Sequence, residues 1–337
     1  MDEKELIYYL TTEDRAEIEA LLERADAVRR EVTGDAVELR ALIELSNHCV
    51  RDCLYCGLRK SNAKLERYRI ESAELIETVL EASRIGYKTA VLQSGEDPGF
   101  STDELCDLIQ KIKDRTDMAL TLAFGERPRR DIEQFRAAGA DRYLLKIETT
   151  DPELFRRLKP DGSFERRVGC LKLLKECGFQ VGSGSMIGLP GQTPEIIARD
   201  ILFFKDMDLD MIGVGPFVPN EDTPLGHESG GTVDMSLRVI ALTRIVTVKT
   251  HMPATTSIGA IDPAGREKVL KAGANVLMPN LTPAKYREHY RIYPKPARLP
   301  ETPEESRKNL EIKLKKLGRS VSDSHGHSLK RRAGAVQ

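Results

Sequence analysis

From residue 39 onward, short apolar runs alternate with longer stretches in which apolar residues recur every three or four positions. The short runs, at residues 39–45, 89–93, 119–123, 142–147, 180–186, 211–215, 254–256 and 275–278, read as strands. The stretches between them, at 72–85, 102–113, 130–138, 164–177, 193–207, 236–250 and 264–272, each carry one apolar face and read as helices. Gly86, Gly139, Gly178 and Gly273 stand just past four of these helices, where a left-handed residue closes a helix at little cost. Strands alternating with helices in this way predict parallel strands joined by right-handed crossovers. The fold class is therefore α/β, and a complete (β/α)8 TIM-type barrel spanning 39–280 is the simplest closure. Its site would lie at the C-terminal ends of the strands.

The flanks read differently. Residues 1–38 form a helical extension, with Thr12 or Glu13 opening a helix whose Ile18, Leu21, Leu22 and Ala25 share one face. Residues 281–317 read as a segment packed on the barrel, ending in a strongly charged helix over 303–317. Residues 318–337 lack apolar periodicity and read as a disordered tail, in which His325 and His327 are solvated.

The loop after the first strand carries the chemistry. Cys49, Cys53 and Cys56 follow a C-x3-C-x2-C spacing in LSNHCVRDCLYCGLRK. So short a loop can turn three thiolates, soft ligands for iron or zinc, toward one point. Tetrahedral zinc and an ordinary four-iron cluster each want four protein ligands, and no further cysteine or histidine stands at usable spacing. His48 adjoins Cys49 and leaves the backbone in another direction. Three thiolates and one vacant position point to a cluster with an open iron; buried cysteines or a degenerate zinc loop is the alternative. Cys106, Cys170 and Cys177 read as small residues packed on helices.

Composition narrows the setting. A net charge of −1 over 337 residues offers no basic field for nucleic acid or an anionic membrane. No apolar run is long enough to span a bilayer, and the acidic MDEKELIYYL start lacks a signal-peptide core. Six cysteines, three of them in a metal-type loop, fit a reducing compartment, so the chain reads as cytoplasmic.

The loop, with Tyr55 as the aromatic before its last cysteine, resembles the signature of the radical S-adenosylmethionine (SAM) superfamily. The resemblance implies a [4Fe-4S] cluster on Cys49, Cys53 and Cys56, with SAM chelating the open iron through its amino and carboxylate groups. One electron then cleaves the sulfonium and releases a 5′-deoxyadenosyl radical. Ser94, Gly95 and Glu96, in the QSGED turn after the second strand, resemble the superfamily's holder of the methionyl ammonium, with Ser94 in place of the usual glycine. Standing alone, S-G-E-D is only a turn. The resemblance further assigns SAM contacts to Glu148 at the end of the fourth strand, Met186 in the glycine-rich fifth-strand motif and Ile212 on the sixth. Arg167 is assigned to the methionyl carboxylate, with a surface arginine as its alternative.

Across residues 39–293, NHCVRDCLYCGLRKSNAKLERYR, GADRYLL, GSMIGLPGQT, GVGPFVPNEDTPL, PATTSIGAI and GANVLMPNLTP resemble the HydE family of [FeFe]-hydrogenase maturases. Biotin synthase and the methylornithine synthase PylB share the layout more distantly. The resemblance implies radical attack on the sulfur of a cysteine-bound iron carbonyl–cyanide complex. It places Thr121, Lys146, Met211, Thr255, Thr256 and Tyr293 around the substrate, and no catalytic residue is assigned. It also implies a ferredoxin or flavodoxin as electron donor, with other maturases as partners. This chain departs from the family pattern where Lys146-Ile147-Glu148 replaces Arg-His-Glu and where Ala123 replaces a serine, so Ile147→His and Ala123→Ser are expected to improve turnover of HydE-type substrates. It also has no cysteine beyond Cys177 for an accessory cluster. A PylB- or biotin synthase-like enzyme acting on another small amino-acid-type substrate, and a non-catalytic iron–sulfur scaffold, remain the rival readings.

Overall fold

The computed structural model describes residues 1–294 and 301–330. Two capped helices precede the sheet. Asp2 and Glu5 form a reciprocal capping box on α1 (Glu3–Thr11). The Asp14 carboxylate accepts the Ala16 and Glu17 N–H groups and starts α2 (Arg15–Thr33). The helix expected to open at Thr12 or Glu13 is capped one or two residues later, at Asp14. The pair packs on the barrel's outer helices, which appear below.

The strands are β1 (Ala36–Ser46), β2 (Thr89–Ser94), β3 (Ala119–Ala123), β4 (Arg142–Leu144), β5 (Gln180–Ser183), β6 (Met186–Ile187), β7 (Met211–Ile212), β8 (Gly215–Pro216), β9 (Val276–Leu277) and β10 (Ser320–Val321). Between them run α3 (Ser72–Arg84), α4 (Thr102–Arg115), α5 (Arg129–Ala137), α6 (Pro152–Leu158), α7 (Phe164–Glu176), α8 (Pro194–Asp206), α9 (Val233–Thr247), α10 (Thr256–Ile261), α11 (Gly265–Lys271), α12 (Ala284–Arg287) and α13 (Pro303–Lys316). α1 lies on α8 and α9, and α2 on α9. No helix of the described residues is long and apolar enough to cross a membrane.

All sheet pairings are parallel, in the order β1-β2-β3-β4-β5-β7, with β9 and β10 on the free edge of β1. The sheet curls into a TIM-type half-barrel whose two edges approach across residues 251–254. There His251 bridges Met211 and Pro253 bridges Val276, as isolated parallel contacts rather than a regular strand. Proline has no N–H to give to a ladder, so this stave stays irregular. The strand expected at 254–256 therefore lies earlier: Thr255 caps α10 and Thr256 is its first residue.

Alternation along β1 sorts the interior from the shell. Leu39, Ala41, Ile43 and Leu45 face the helices in the main apolar core. Arg40, Leu42 and Glu44 face the barrel axis, and all three are buried. Opposite Arg40, the interior carries Arg142, buried without a carboxylate; one guanidinium nitrogen lies 3.3 Å from the hydroxyls of Thr89 and Thr121.

The N-terminal end of the barrel is closed by the segment that sequence reads as a disordered tail. β10 pairs with Ala36 and Val37, and residues 322–330 cross the rim toward β7. The His325 carbonyl accepts from Arg142 and, at 2.9 Å, from Thr89. The Gly326 carbonyl accepts from Arg40 at 3.1 Å, and the His327 carbonyl lies 2.9 Å from His251 Nε2. Ser328 bonds Asp210. Three consecutive backbone carbonyls thus meet three buried nitrogen groups. The order comes from polar contacts with no apolar period to betray it; residues 331–337 lie outside the described residues. Deleting residues 318–337 is expected to destabilise the chain by about 3 kcal/mol or more, the scale of two hydrogen bonds to charged groups. Thermal unfolding checks this, and an unchanged midpoint would show that the strap only rests on the barrel.

Candidate active site

The cysteine loop leaves β1 at the C-terminal rim and is fixed before and after its thiols. Asn47, fully buried, donates to the carbonyls of Glu66 and His289 at 2.7 and 2.8 Å and accepts from Tyr68 N–H. Arg67 donates to the carbonyls of Asn47, Leu58 and Arg59. At Gly57 a Cβ would stand 1.8 Å from the Arg291 carbonyl, so only glycine lets the segment after the barrel cross the loop.

Cys49, Cys53 and Cys56 are free and half-buried. Burial pushes the Cys49 and Cys56 thiols up, and the neighbouring Cys53 adds to both shifts. Among the described residues no three His, Cys, Asp or Glu side chains converge tightly enough for a single metal ion. A four-iron cube binds each cysteine through a different iron, so it asks for thiols spaced around a volume rather than gathered on one point.

The QSGED turn is locked to this loop. Val50 N–H donates to the Glu96 carbonyl at 2.9 Å. A Cβ on Gly95 would stand 2.2 Å from the His48 carbonyl and 2.6 Å from Cys49 Cβ. Ser94 donates to the Gly95 carbonyl. Asp97 is desolvated, which raises its pKa, but its bonds to Arg69 and Ser46 outweigh this and hold it below the usual value. The Glu96 carboxylate, which sequence offers to an ammonium, is already engaged by Arg51 at 2.5 Å and lies 3.6 Å from Arg167. Arg167 likewise meets Glu126 at 2.8 Å and donates to the Lys146 carbonyl. Arg51 completes the ring at 3.4 Å from Glu126. The fork expected to take a carboxylate is therefore occupied from within the chain. Arg51 escaped sequence reading because it fills an unspecified position of the cysteine spacing, and Glu126 because it belongs to no motif.

Other polar atoms are left open. Glu148 has φ +68°, a left-handed conformation that costs a non-glycine residue about 1–3 kcal/mol. It is held there by hydrogen bonds to Gly184 and Met186 of 3.0 and 3.2 Å. Lys146 Nζ comes within 3.2 Å of Glu148 Oε2, yet off hydrogen-bond geometry, and that oxygen has no hydrogen-bond partner among the described residues. The buried Ser185 hydroxyl, bridged to Glu148 through the backbone, also lacks one. Tyr55 and Met186 share a small apolar cluster with Leu154, Leu158, Leu189, Ile196 and Phe217. Ile212 faces the helix-side core, and the position open beside it is Gly213, where a Cβ would meet nothing closer than 3.7 Å. An apolar shelf, a bare glycine and unpaired acceptors next to three thiols fit a cluster and a zwitterionic nucleoside ligand.

The residues assigned to substrate divide by depth. Lys146, Thr255 and Tyr293 stand at the mouth, where Ser257 joins two of them: its hydroxyl lies 3.1 Å from that of Thr255 and also bonds Tyr293. Thr256 is exposed on the first turn of α10. Thr121 and Met211 lie deeper, against Arg142 and Arg40. Gln93, not assigned from sequence, donates to Tyr290 at 3.0 Å beneath the covering segment.

Comparison with known proteins agrees with this layout. A family model described as the radical SAM superfamily matches residues 43–204. The [FeFe] hydrogenase maturase subunit HydE of Thermotoga maritima is 50% identical over 285 residues, covering 85% of this chain and 82% of its own. The chain belongs to the HydE branch of the radical SAM superfamily. A 3-methylornithine synthase of Methanosarcina acetivorans is 29% identical over 82% of this chain and 79% of its own. The crystal structure of methylornithine synthase (PylB) superposes with a TM-score of 0.83 at 26% identity, covering 95% of this chain and 94% of that one. As a radical SAM enzyme, the chain uses a [4Fe-4S] cluster and SAM.

For this HydE-branch enzyme, the departure at Ile147 acquires a different meaning. Ile147 is fully buried in the helix-side core, while its neighbours 146 and 148 face the mouth. Its side chain cannot reach a substrate from there. Ile147→His is therefore expected to destabilise the fold by about 2 kcal/mol, the cost of a buried polar group without a partner, and not to improve turnover. Ala123, paired with Gln93 at the end of β3, is half-buried on the interior face. Ala123→Ser is expected to change KM with little effect on the melting midpoint, and paired melting and kinetic measurements separate the two variants.

Glu44, on the interior face of β1, accepts from Asn280 at 2.8 Å. Burial raises its pKa from the ordinary 4.5 to about 7, against the opposing pull of Asn280, Arg287 and Thr282. With the folded pKa above the unfolded one, the folded state keeps its proton longer, so this carboxyl's contribution to stability falls as pH rises between those values. Glu44→Gln removes the ionisation. It is expected to stabilise the chain at pH 8 by up to about 3 kcal/mol and to be nearly neutral at pH 4.5. Denaturant titrations at the two pH values check this; equal shifts at both would contradict it.

Proposed function

We propose that this enzyme acts in [FeFe]-hydrogenase maturation, attacking the sulfur of a cysteine-bound iron carbonyl–cyanide complex within the barrel. The observation that carries this reading is the 50% identity to the Thermotoga maritima HydE subunit across 85% of the chain. Cys49, Cys53 and Cys56 would hold the cluster. Glu148, Ser185 and the Tyr55–Met186 shelf would face SAM, with the Gly213 backbone beside its adenine. When bound, the pair supplies a one-electron cleavage that delivers a 5′-deoxyadenosyl radical. The chain's own part is to position and to exclude water. Asn47, Gly57 and Asn220 hold residues 289–292 over the mouth through backbone contacts.

Deeper in the barrel, Thr121 and Met211 offer a hydroxyl and a thioether to a sulfur-bearing substrate, above the Arg40 and Arg142 guanidiniums that the strap carbonyls already hold. Polar groups fixed by burial orient such a substrate with little reorganisation. A ferredoxin or flavodoxin is the proposed electron donor, other maturases are the proposed partners, and the cytoplasm is the proposed location. The TM-score of 0.83 to PylB supports a second reading, a mutase acting on a free amino acid.

The experiment is anaerobic. Reconstituted protein with SAM and a strong reductant is assayed for 5′-deoxyadenosine and adenosyl–sulfur products, alone, with a thiazolidine dicarboxylate and with the cysteine–iron carbonyl–cyanide complex. Stimulated cleavage with an adenosyl–sulfur product is expected, and Cys49→Ala, Cys53→Ala or Cys56→Ala should each return cleavage to background. Stimulation by a free diamino acid instead would support the mutase reading.

A further inference from the structure

Glu44 stands on β1 with its side chain toward the barrel axis, level with Gln93 on β2 and, through it, with Ala123 on β3. It is only 7% exposed, yet it forms no ion pair with any described residue. Arg287, the cation whose field reaches it, gives Nε and Nη2 to the Thr282 carbonyl. Lys146, the cation at the mouth, lies against Glu148. Tyr290, in the segment that covers the mouth, is raised above its usual pKa by burial first and by the Glu44 charge second, which sets this carboxyl beneath the cover.

Its two oxygens are used differently. Oε2 accepts from Asn280 at 2.8 Å and lies 3.5 Å from the Thr282 hydroxyl. Oε1 accepts from no described residue, and it is not sealed among packed atoms but borders open space on the interior face. Asp200 makes the comparison. Burial raises it to about 7 as well, but its spare Oδ2 is packed shut and no ligand reaches it. A buried carboxyl without a cation costs stability, and an unpaired polar atom that faces a cavity asks for a partner from outside the chain. A carboxylate oxygen can only accept, so that partner must bring an N–H or O–H.

We propose that Glu44 is a specificity-determining residue, taking an N–H of the substrate's amino group on its free carboxylate oxygen. Asn280 and Thr282 hold the other oxygen, so the acceptor is oriented before the substrate arrives. The proposal rests on the reading of the barrel interior as the substrate chamber. It applies to an iron-bound cysteine and to a free amino acid alike, because both carry an amino nitrogen.

The test measures discrimination in binding rather than turnover. Cluster-loaded protein is titrated anaerobically at pH 8 with a thiazolidine dicarboxylate and with the thiolane dicarboxylate of the same shape, in which CH2 replaces the ring N–H. The parent chain is expected to bind the N–H compound at least ~10-fold more tightly, the scale of one charge-assisted contact. In Glu44→Gln the amide oxygen can keep Asn280 while the NH2 turns to the chamber, a donor where an acceptor stood. The preference is then expected to fall below about two-fold, through loss of affinity for the thiazolidine. The ligand-free melting midpoint at pH 8 should not fall, which separates lost recognition from a lost fold. Should that variant fail to take up the cluster, Glu44→Met carries the same comparison. A preference retained in the variant, or equal losses for both compounds, would overturn the proposal in favour of a structural carboxyl. Equal binding of the two compounds by the parent would overturn it and leave the chamber standing; a parent that binds neither would overturn both.

Discussion

Two arginines and two glutamates alternate around one point of the barrel rim, and the site depends on them. Arg51 belongs to the cysteine loop, Glu96 to the turn after β2, Glu126 to the turn after β3 and Arg167 to the first turn of α7. Four separate stretches of chain are thereby held in one charge-balanced set. Loops at the mouth of a barrel have little apolar surface to share, so their positions must come from polar contacts or glycine-tight crossings. In a half-buried setting such a ring is strong only while complete. Removing one member leaves a partner charge desolvated, at a cost of about 3–5 kcal/mol. The same contacts that give the loop its shape occupy two groups that composition alone would offer to a ligand.

The two ends of the barrel solve opposite problems. At the N-terminal end, Arg40, Arg142 and His251 are buried without carboxylates, and burial pulls the pKa of Arg142 down to about 10 and that of His251 well below its ordinary value. The chain answers with its own backbone, laying the carbonyls of residues 325–327 on them. At the C-terminal end, Glu148 Oε2 and the Ser185 hydroxyl receive no hydrogen bond, and the Glu148 charge is met by Lys146 alone at 3.2 Å. Polar groups are seldom left unpaired where the chain could reach them. The backbone stopper marks the closed end of the barrel, although Arg40 Nε is left without a hydrogen-bond partner there.

Much of this was legible in the sequence. Alternating apolar runs gave the parallel sheet, the cysteine spacing gave the loop, and glycines at helix ends gave most boundaries. What escaped has a common physical character. The strap over 320–330 is ordered by hydrogen bonds to buried cations, which leave no periodic trace. The seventh stave was misplaced because Pro253 breaks its ladder and Thr255 looks like a strand residue while serving as a helix cap. Ile147 was read as pocket because its neighbours are, although side chains alternate across a strand. The ring of Arg51, Glu96, Glu126 and Arg167 escaped because its pairing, unlike the identity of its residues, is a property of the fold.

That last distinction bears on how far the substrate differs from the family's. Of the three changed positions, Ile147 is separated from the mouth by the sheet itself. Ala123 removes a hydroxyl at the interior end of β3. Lys146 keeps a positive charge but exchanges a planar fork for a single ammonium, and here it lies 3.2 Å from Glu148. A fork could meet Glu148 and a substrate at once; a lone ammonium divides less readily between them. On the proposed assignment of Glu148 to the cofactor and Lys146 to the substrate, the change that matters is the sharing of one charge between the two. It would alter how firmly a substrate is oriented more than which class of substrate can enter.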